Sequence, residues 1–497
     1  MPLLLGLDIG TTGAKALIIG DDGRVRGSGG AEYPFVVPRP GWAEQDPEAW
    51  WQGAGQSIRE ALHSADARPG EIAAAGLSGQ MHSLVLLDEA GRICRPAILW
   101  NDQRTADECA EITQRVGLER LYAITRNPAL PGFTAPKILW VHNHEPETFR
   151  RIDAVLVPKD YVRFRLTGTR ATEVSDASGT ALLDVPRREW SGEILRALEI
   201  PPEWLPGCAE SPVLTASVSE AGEDATSLRA GTPVAGGGGD QAAQAVGTGI
   251  VRTGLVSVTI GTSGVVFAFL EAPVMDAQGR THTFCHAVPG RWHVMGVMLS
   301  AGGALRWLRD AIAPGAEYDR LVGEAAAVPP GAGNLLFLPY LSGERTPHPD
   351  PLARGAFIGL SLAHTRGHMV RAVMEGVTFG LRDSFEILRA MDLRVVQVRA
   401  SGGGARSPLW RQILADILDT EVVTMNVSEG AAFGAALIAG VGAGVFPTVE
   451  AACEATLAAT TRTEPVAAHR RVYESLYGDY RNLYPALRPA FEQLATL

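Results

Sequence analysis

Apolar runs broken by short polar turns organise this chain from its first residues. Leu5-Gly6-Leu7-Asp8-Ile9 is an aliphatic strand with a carboxylate near its inner end, which turns through Gly10-Thr11-Thr12-Gly13 and resumes as Ala16-Leu17-Ile18-Ile19. This pattern predicts a β-hairpin whose turn offers hydroxyls and free amides to an oxyanion. The pattern returns as Leu255 to Ile260, Gly261-Thr262-Ser263-Gly264 and Val265 to Phe269, near the start of the second half. Such an internal repeat predicts two related domains facing one another across a cleft, each bringing one hairpin to it. We divide them as 1–248, with sugar-site insertions, and 249–497, with most of the nucleotide contacts.

The remaining periodicity alternates strands and helices, an α/β class. Val25 to Phe35 reads as a third strand, Glu48 to Leu62 as a helix capped by Asp46 with Pro47 in its first turn, and Ile72 to Leu77 as a short buried strand. Leu118 to Leu205 reads as an insertion forming one wall of a pocket. His368 to Met391 is helical in pattern, Val395 to Ala400 a strand, Trp410 to Leu418 a helix, and Glu429 to Leu437 opens a helix of small residues. The terminal helix from Arg470 is expected to run as far as Tyr484, before Pro485.

Composition narrows the class of partner. Hydrophobic residues make up 46 % of the 497 positions, enough for a large core, and the net charge of −11 lacks the basic footprint of a nucleic-acid binder. The five cysteines are scattered and odd in number, as expected of free thiols in a reducing cytoplasm. Neither a cleavable leader nor a bilayer-spanning run is apparent, so a cytoplasmic protein without a membrane partner is expected.

Candidate chemistry lies at the ends of strands. Asp8 adjoins the first turn and is the candidate for the metal side, while Thr11, Thr12, Thr262 and Ser263 offer donors to phosphate oxygens. Gly236-Gly237-Gly238-Gly239 leads to Asp240, a candidate general base whose competing role is a helix N-cap. Ser78-Gly79-Gln80-Met81-His82 and Trp100-Asn101-Asp102 end two apolar runs where ligands are often held; the competing reading makes Trp100 core and Asp102 a cap. The Gly403-Gly404 turn lets backbone approach a planar ligand, with a purely structural turn as the alternative. No P-loop, dinucleotide fingerprint, His-Glu-x-x-His or Gly-x-Ser-x-Gly pattern is present.

Taken together, Asp8 to Thr12, Gly238 to Asp240, Gly261 to Ser263 and Ser401 to Ala405 resemble the FGGY carbohydrate kinases of the actin-like ATPase superfamily, over essentially the whole chain. Trp42 to Pro47, Gly79 to His82, Ile98 to Asp102, Pro131 to Lys137 and Leu341 to Pro347 carry the closest likeness, to the branch acting on a pentulose. The resemblance implies two RNase H-like α/β domains flanking a catalytic cleft, ATP and Mg²⁺ as cofactors, D-xylulose phosphorylated at O5, and a possible homodimer. It implies Asp240 as base, Asp8 toward Mg²⁺, and Gln80, Met81, His82, Trp100, Asn101, Asp102 and Gln241 around the sugar. Thr11, Thr12, Lys15, Gly261, Thr262, Ser263, Gly303, Gly403, Gly404 and Ala405 would surround the nucleotide. Gln241 stands where the family has Asn, its amide one methylene further out, which bears on sugar selectivity. A kinase for ribulose, glycerol or another polyol, a sugar-independent actin-like ATPase, or an inactive sugar sensor are the other readings.

Overall fold

A computed structural model describes residues 2–427 and 429–495. In the first half β1 (Leu3–Ile9), β2 (Gly13–Gly20), β3 (Val25–Glu32), β4 (Ile72–Gly79), β5 (Leu214–Ser217) and β6 (Pro233–Ala235) form a sheet in the order β5-β6-β4-β1-β2-β3. The short strand Gly238–Gly239 also pairs with β4. In the second half β7 (Leu255–Ile260), β8 (Gly264–Leu270), β9 (His282–Cys285), β10 (Trp292–Met298), β11 (Gln397–Ser401), β12 (Glu421–Met425) and β13 (Ala459–Thr463) run β9-β10-β8-β7-β11-β12-β13.

The two sheets share one plan. β1 is antiparallel to β2 and parallel to β4, as β7 is antiparallel to β8 and parallel to β11. The turns close one residue apart: the Gly10 amide bonds Gly13 O at 2.9 Å, three residues on, and the Gly261 amide bonds Ser263 O at 3.0 Å, two residues on. The repeat read from the sequence is thus a repeat of topology.

Local signals set the helices. Asp46 caps α1 (Pro47–Ser64) by accepting from the Glu48 amide, with Pro47 in the first turn where its missing N–H costs nothing. α2 (Asp240–Gly247) follows the glycine run. In the second half come α3 (Gly302–Ile312), α4 (Tyr318–Ala326), α5 (Arg366–Ala390), α6 (Pro408–Leu418), α7 (Gly430–Gly442) and α8 (Ala467–Leu494). α4 carries no signal that the sequence reading used. α8 corrects that reading, since it continues through Pro485 and Pro489. The carbonyls each proline frees, those of Arg481 and Pro485, belong to exposed residues, so water can satisfy them and the helix need not stop.

α7 joins the halves. It is buried from Ala432 to Gly440 and lies on the sheet of the first half, so close that a Cβ on Gly6 would sit 1.8 Å from Ala432 O and one on Gly76 2.1 Å from Ala435 O. α2 crosses it as tightly, a Cβ on Gly434 falling 1.8 Å from Ala243 O. Just before α7, Glu429 meets Lys15 at 2.6 Å. A second bridge lies at β9 and β10: Asn127 Nδ2 donates to Thr283 O, the Cys285 amide to Ser178 Oγ, and Trp292 Nε1 to Val185 O. The cleft lies between these attachments.

Within α5, burial raises the Asp383 carboxyl from 3.8 to about 7, against the opposing pull of the Tyr477 hydroxyl, Arg481 and Arg382 and with the help of Glu386. Tyr477 donates to Asp383 Oδ1 at 2.7 Å, a bond an amide oxygen also accepts. A folded-state pKa above the unfolded one means stability that is full below 3.8 and lost as pH rises through about 7. Asp383→Asn removes that loss. The variant should match wild type near pH 4 and exceed it at pH 8, by about 2–4 kcal/mol, in melting curves recorded at the two pH values.

Candidate active site

The first hairpin and the end of β4 build one side of the cleft. Asp8 stands in β1 opposite Lys15 and beside Ser78. Burial first, then the charge of Glu429, raises its pKa to about 6, with Ser78 and Lys15 opposing. Its Oδ1 is buried with no hydrogen-bond partner among the described residues. No group of three or more His, Cys, Asp or Glu able to cage a metal occurs among the described residues. A single orphaned carboxylate beside a phosphate-shaped turn suits a divalent ion that brings most of its ligands as phosphate and water.

Gly238-Gly239 pairs with Ser78 and Gly79 of β4, on the side away from Asp8, and delivers Asp240 at the first position of α2. The cap position is Gly239 and no side chain caps the helix, so the N-cap role is not the one Asp240 plays. Its Oδ1 accepts from the Gln241 amide at 2.7 Å. Burial, then Asp8, raises its pKa to about 7, while backbone and side chain of Gln241 pull it back. The glycines have a steric reason: a Cβ on Gly239 would lie 2.8 Å from Met81 Cγ, so Met81 can lie against the turn only because that residue has none. The Gly239 amide donates to Ser175 Oγ, and Ser175 in turn donates to Glu173, part of a buried set with Lys159, Asp160 and Asp176. The base-bearing turn therefore rests on a charged network that holds its backbone.

Met81 and His82 follow β4 directly. His82 Nδ1 bonds Gly179 O at 2.7 Å, the ring lies 4.8 Å from that of Phe133, and burial lowers its pKa to about 3, leaving it neutral. Its carbonyl is gripped by Thr134 Oγ1 and Lys137 Nζ, both from the Leu118–Leu205 segment, which forms the expected pocket wall. Gln80 reaches back to the hairpin, donating to Gly10 O at 3.3 Å. Thr11 Oγ1 donates to Gln80 Oε1 and accepts from Trp100 Nε1 at 2.9 Å, so its hydroxyl ties the turn to the pocket. Trp100 is 40 % exposed, which rules out the core reading, and Asn101 Oδ1 beside it is buried without a partner.

Several expected contacts fall elsewhere. Asp102 is fully buried, one oxygen accepting from the Ala43 amide and both taken by Arg104, so it fastens the loop under the pocket and neither caps a helix nor faces a sugar. Lys15 spends its ammonium on Glu429, and with Thr12 it lines a groove shared with Glu32, Tyr33 and Pro34. Ala405 is 4 % exposed and belongs to the core under the Gly403-Gly404 turn.

The second half supplies a cavity of about 810 Å³. Gly261, Thr262, Gly303, Gly403 and Gly404 line it, and Leu305, Tyr318 and Leu409 give it an apolar side. The amides of Ala301 and Gly303 bond Thr262 O and that of Gly302 bonds Gly261 O, which seats the start of α3 on the hairpin. A Cβ on Gly403 would meet nothing within 4 Å. A space with an apolar side and a glycine turn can take a flat ring. Ser263 is exposed on the hairpin turn without lining the cavity. The tyrosine of α4 and Arg306 were missed in the sequence, where neither sits in a glycine turn or at a strand end.

Two descriptions match the chain: "FGGY family of carbohydrate kinases, N-terminal domain" over residues 3–247 and the corresponding C-terminal domain over 256–443. The chain is 40 % identical over 484 residues to a xylulose kinase of Bacillus subtilis (strain 168), covering 97 % of each. The crystal structure of a "xyloylose kinase" from Brucella ovis superposes with a TM-score of 0.92 at 39 % identity, over 98 % of this chain and 100 % of that one. A gluconate kinase from Lactobacillus acidophilus is also similar, with TM-score 0.93 and 27 % identity over 99 % of each chain. The same backbone thus serves more than one acceptor, and pocket side chains set the choice.

Proposed function

The chain belongs to the FGGY family of carbohydrate kinases, and from that membership we propose that it transfers the γ-phosphoryl group of ATP to O5 of D-xylulose. The observation that carries the reading is Asp240, a carboxyl on a glycine turn packed against Met81 and close enough to Asp8 for that charge to raise its pKa. We assign ATP to the cavity between α3, α4 and the Gly403-Gly404 turn, and the sugar to the space bounded by Met81, His82, Trp100, Asn101, Asp240 and Gln241. The lobes divide between residues 248 and 249. Free cysteines, and the finding that no described helix is long and apolar enough to cross a membrane, accord with a cytoplasmic enzyme.

In this mechanism the protein orients groups and removes a proton. Asp240 accepts the proton of the C5 hydroxyl as that oxygen approaches the γ-phosphorus. A carboxylate suffices because proton transfer is late, after most of the bond to the leaving ADP has broken. Gln241 holds the Asp240 oxygen through its amide, and His82, neutral and fixed by Gly179, offers a nitrogen to the sugar. Mg²⁺ on the triphosphate, facing Asp8, would neutralise charge on the phosphate oxygens. Closure of the cleft excludes water, which would otherwise take the phosphoryl group.

ADP release is to be measured with D-xylulose, D-ribulose, L-ribulose, glycerol, D-gluconate and no acceptor, with the product mass determined. D-xylulose should give the highest kcat/KM and a phosphorylated pentulose. Preference for another acceptor would refute the substrate assignment, and equal ADP release without any acceptor would refute the kinase reading.

A further inference from the structure

The loop Leu341 to Pro347 carries a guanidinium that the protein itself does not use. Glu344 Oε1 accepts from the amides of Leu299 and Arg345, at 2.9 and 2.7 Å, and Thr346 bonds Val297 through both amide and hydroxyl. This pins residues 344–346 to the end of β10, where Met298 pairs with Gly264 of the second hairpin. The Arg345 side chain leaves that anchor into a partly buried place, where desolvation lowers its pKa and Glu344 opposes. No side-chain hydrogen bond or ion pair to Arg345 exists among the described residues, and the residue is half-buried, so its five donors are left to water and open to a ligand. Its charge depresses the imidazoles of both His82 and His282, whereas the shifts of Asp8 and Asp240 arise from burial and other neighbours. Thr346 Oγ1 also donates to Arg280 O, two residues before His282, so the Arg345 loop sits at the His282 end of the site.

That end also holds bare acceptors. Asn127 gives its Nδ2 hydrogens to Thr125 O and Thr283 O, so its Oδ1 is what meets His282 Nδ1. The network thus places the His282 hydrogen on Nδ1 and leaves Nε2, buried and unpartnered, as an acceptor. His82, bonded through Nδ1 to Gly179 O, likewise has a bare Nε2. A donor-only cation between acceptor-only nitrogens is the complement of a carbonyl flanked by hydroxyls.

A five-carbon 2-ketose closes its five-membered ring through O5. A sugar that offers O5 to ATP must therefore be open-chain, with a free C2 carbonyl at the end remote from Asp240. We propose that Arg345 donates to that carbonyl and makes the pocket select an open-chain ketose over the corresponding alditol. This rests on the D-xylulose reading above and assigns the residue that recognises the carbonyl.

Calorimetric dissociation constants of D-xylulose and xylitol, for wild type and Arg345→Met, test it. The wild type should prefer the ketose, and R345M should shrink that preference about 10–100-fold, since a hydrogen bond from a charged donor is lost for one ligand and not the other. R345K, which keeps the charge without the planar fork, should fall between them. A preference that survives R345M unchanged, or both ligands weakened equally, overturns the proposal. ADP-induced thermal stabilisation monitors folding of R345M, and if it is absent the R345K ratio decides in the same way. A wild type that does not phosphorylate D-xylulose refutes the substrate reading first, separately from the role of Arg345.

Discussion

Asp240→Asn should lower kcat with D-xylulose by about 10²–10⁴-fold, the range a positioned general base supplies. The substitution keeps the shape and leaves an amide oxygen for the Gln241 N–H, so what it removes is proton acceptance. Affinity for a non-hydrolysable ATP analogue should persist, because the cavity we assign to the nucleotide is built from the other lobe. The wild-type pH profile carries the same information. With a pKa near 7, raised by burial and by Asp8, the carboxylate form grows as pH rises, so kcat/KM should climb on its acid limb and level off above neutrality. Stopped-flow ADP release across pH reads both, and D240N should lack that limb.

Gly434→Ala should destabilise the protein by about 3 kcal/mol or more, or prevent soluble expression, although alanine is the better helix former by about 1 kcal/mol. The reason is steric: the added methyl would lie 1.8 Å from Ala243 O and 2.8 Å from the Gly247 amide nitrogen, and α2 cannot retreat without moving Asp240 at its start. Gly478→Ala provides the control. That glycine is exposed in α8 and its Cβ would touch nothing within 4 Å, so propensity alone acts and the melting temperature should rise slightly. Thermal melts of the two variants, opposite in sign, measure how much the α2–α7 crossing constrains the cleft.

The contrast between these glycines also indicates what a sequence can disclose. The two hairpins were legible because strand, Gly-Thr-x-Gly and strand recur as local patterns, and local patterns fixed both topologies. The place of Asp240 at a helix start was legible because a run of four glycines before a carboxylate and an Ala-rich stretch marks a turn into a helix. α7 was legible as a helix, but from Ala432 to Gly440 it is buried on every side, and a helix without a polar face does not reveal which sheet it covers. Asp102 misled because an acid after Trp-Asn at a strand end is the same string whether it faces a ligand or, as here, an arginine two residues on. Glu375 and Glu429 have different roles in the structure: Glu375 is held by Arg371 and Tyr473 within one lobe, and Glu429 pairs with Lys15 across the two. Arg345 gave no signal beyond its loop, because its meaning lies in the absence of a partner, a property of three dimensions.

In the proposed mechanism Asp240 activates one particular oxygen, O5, of an open-chain ketose. The most direct test is ¹³C NMR of the product formed from ATP and D-xylulose, reading which carbon couples to phosphorus. Coupling at C5 with none at C1 is the predicted result. Coupling at C1 would place the opposite end of the sugar at Asp240 and contradict the account.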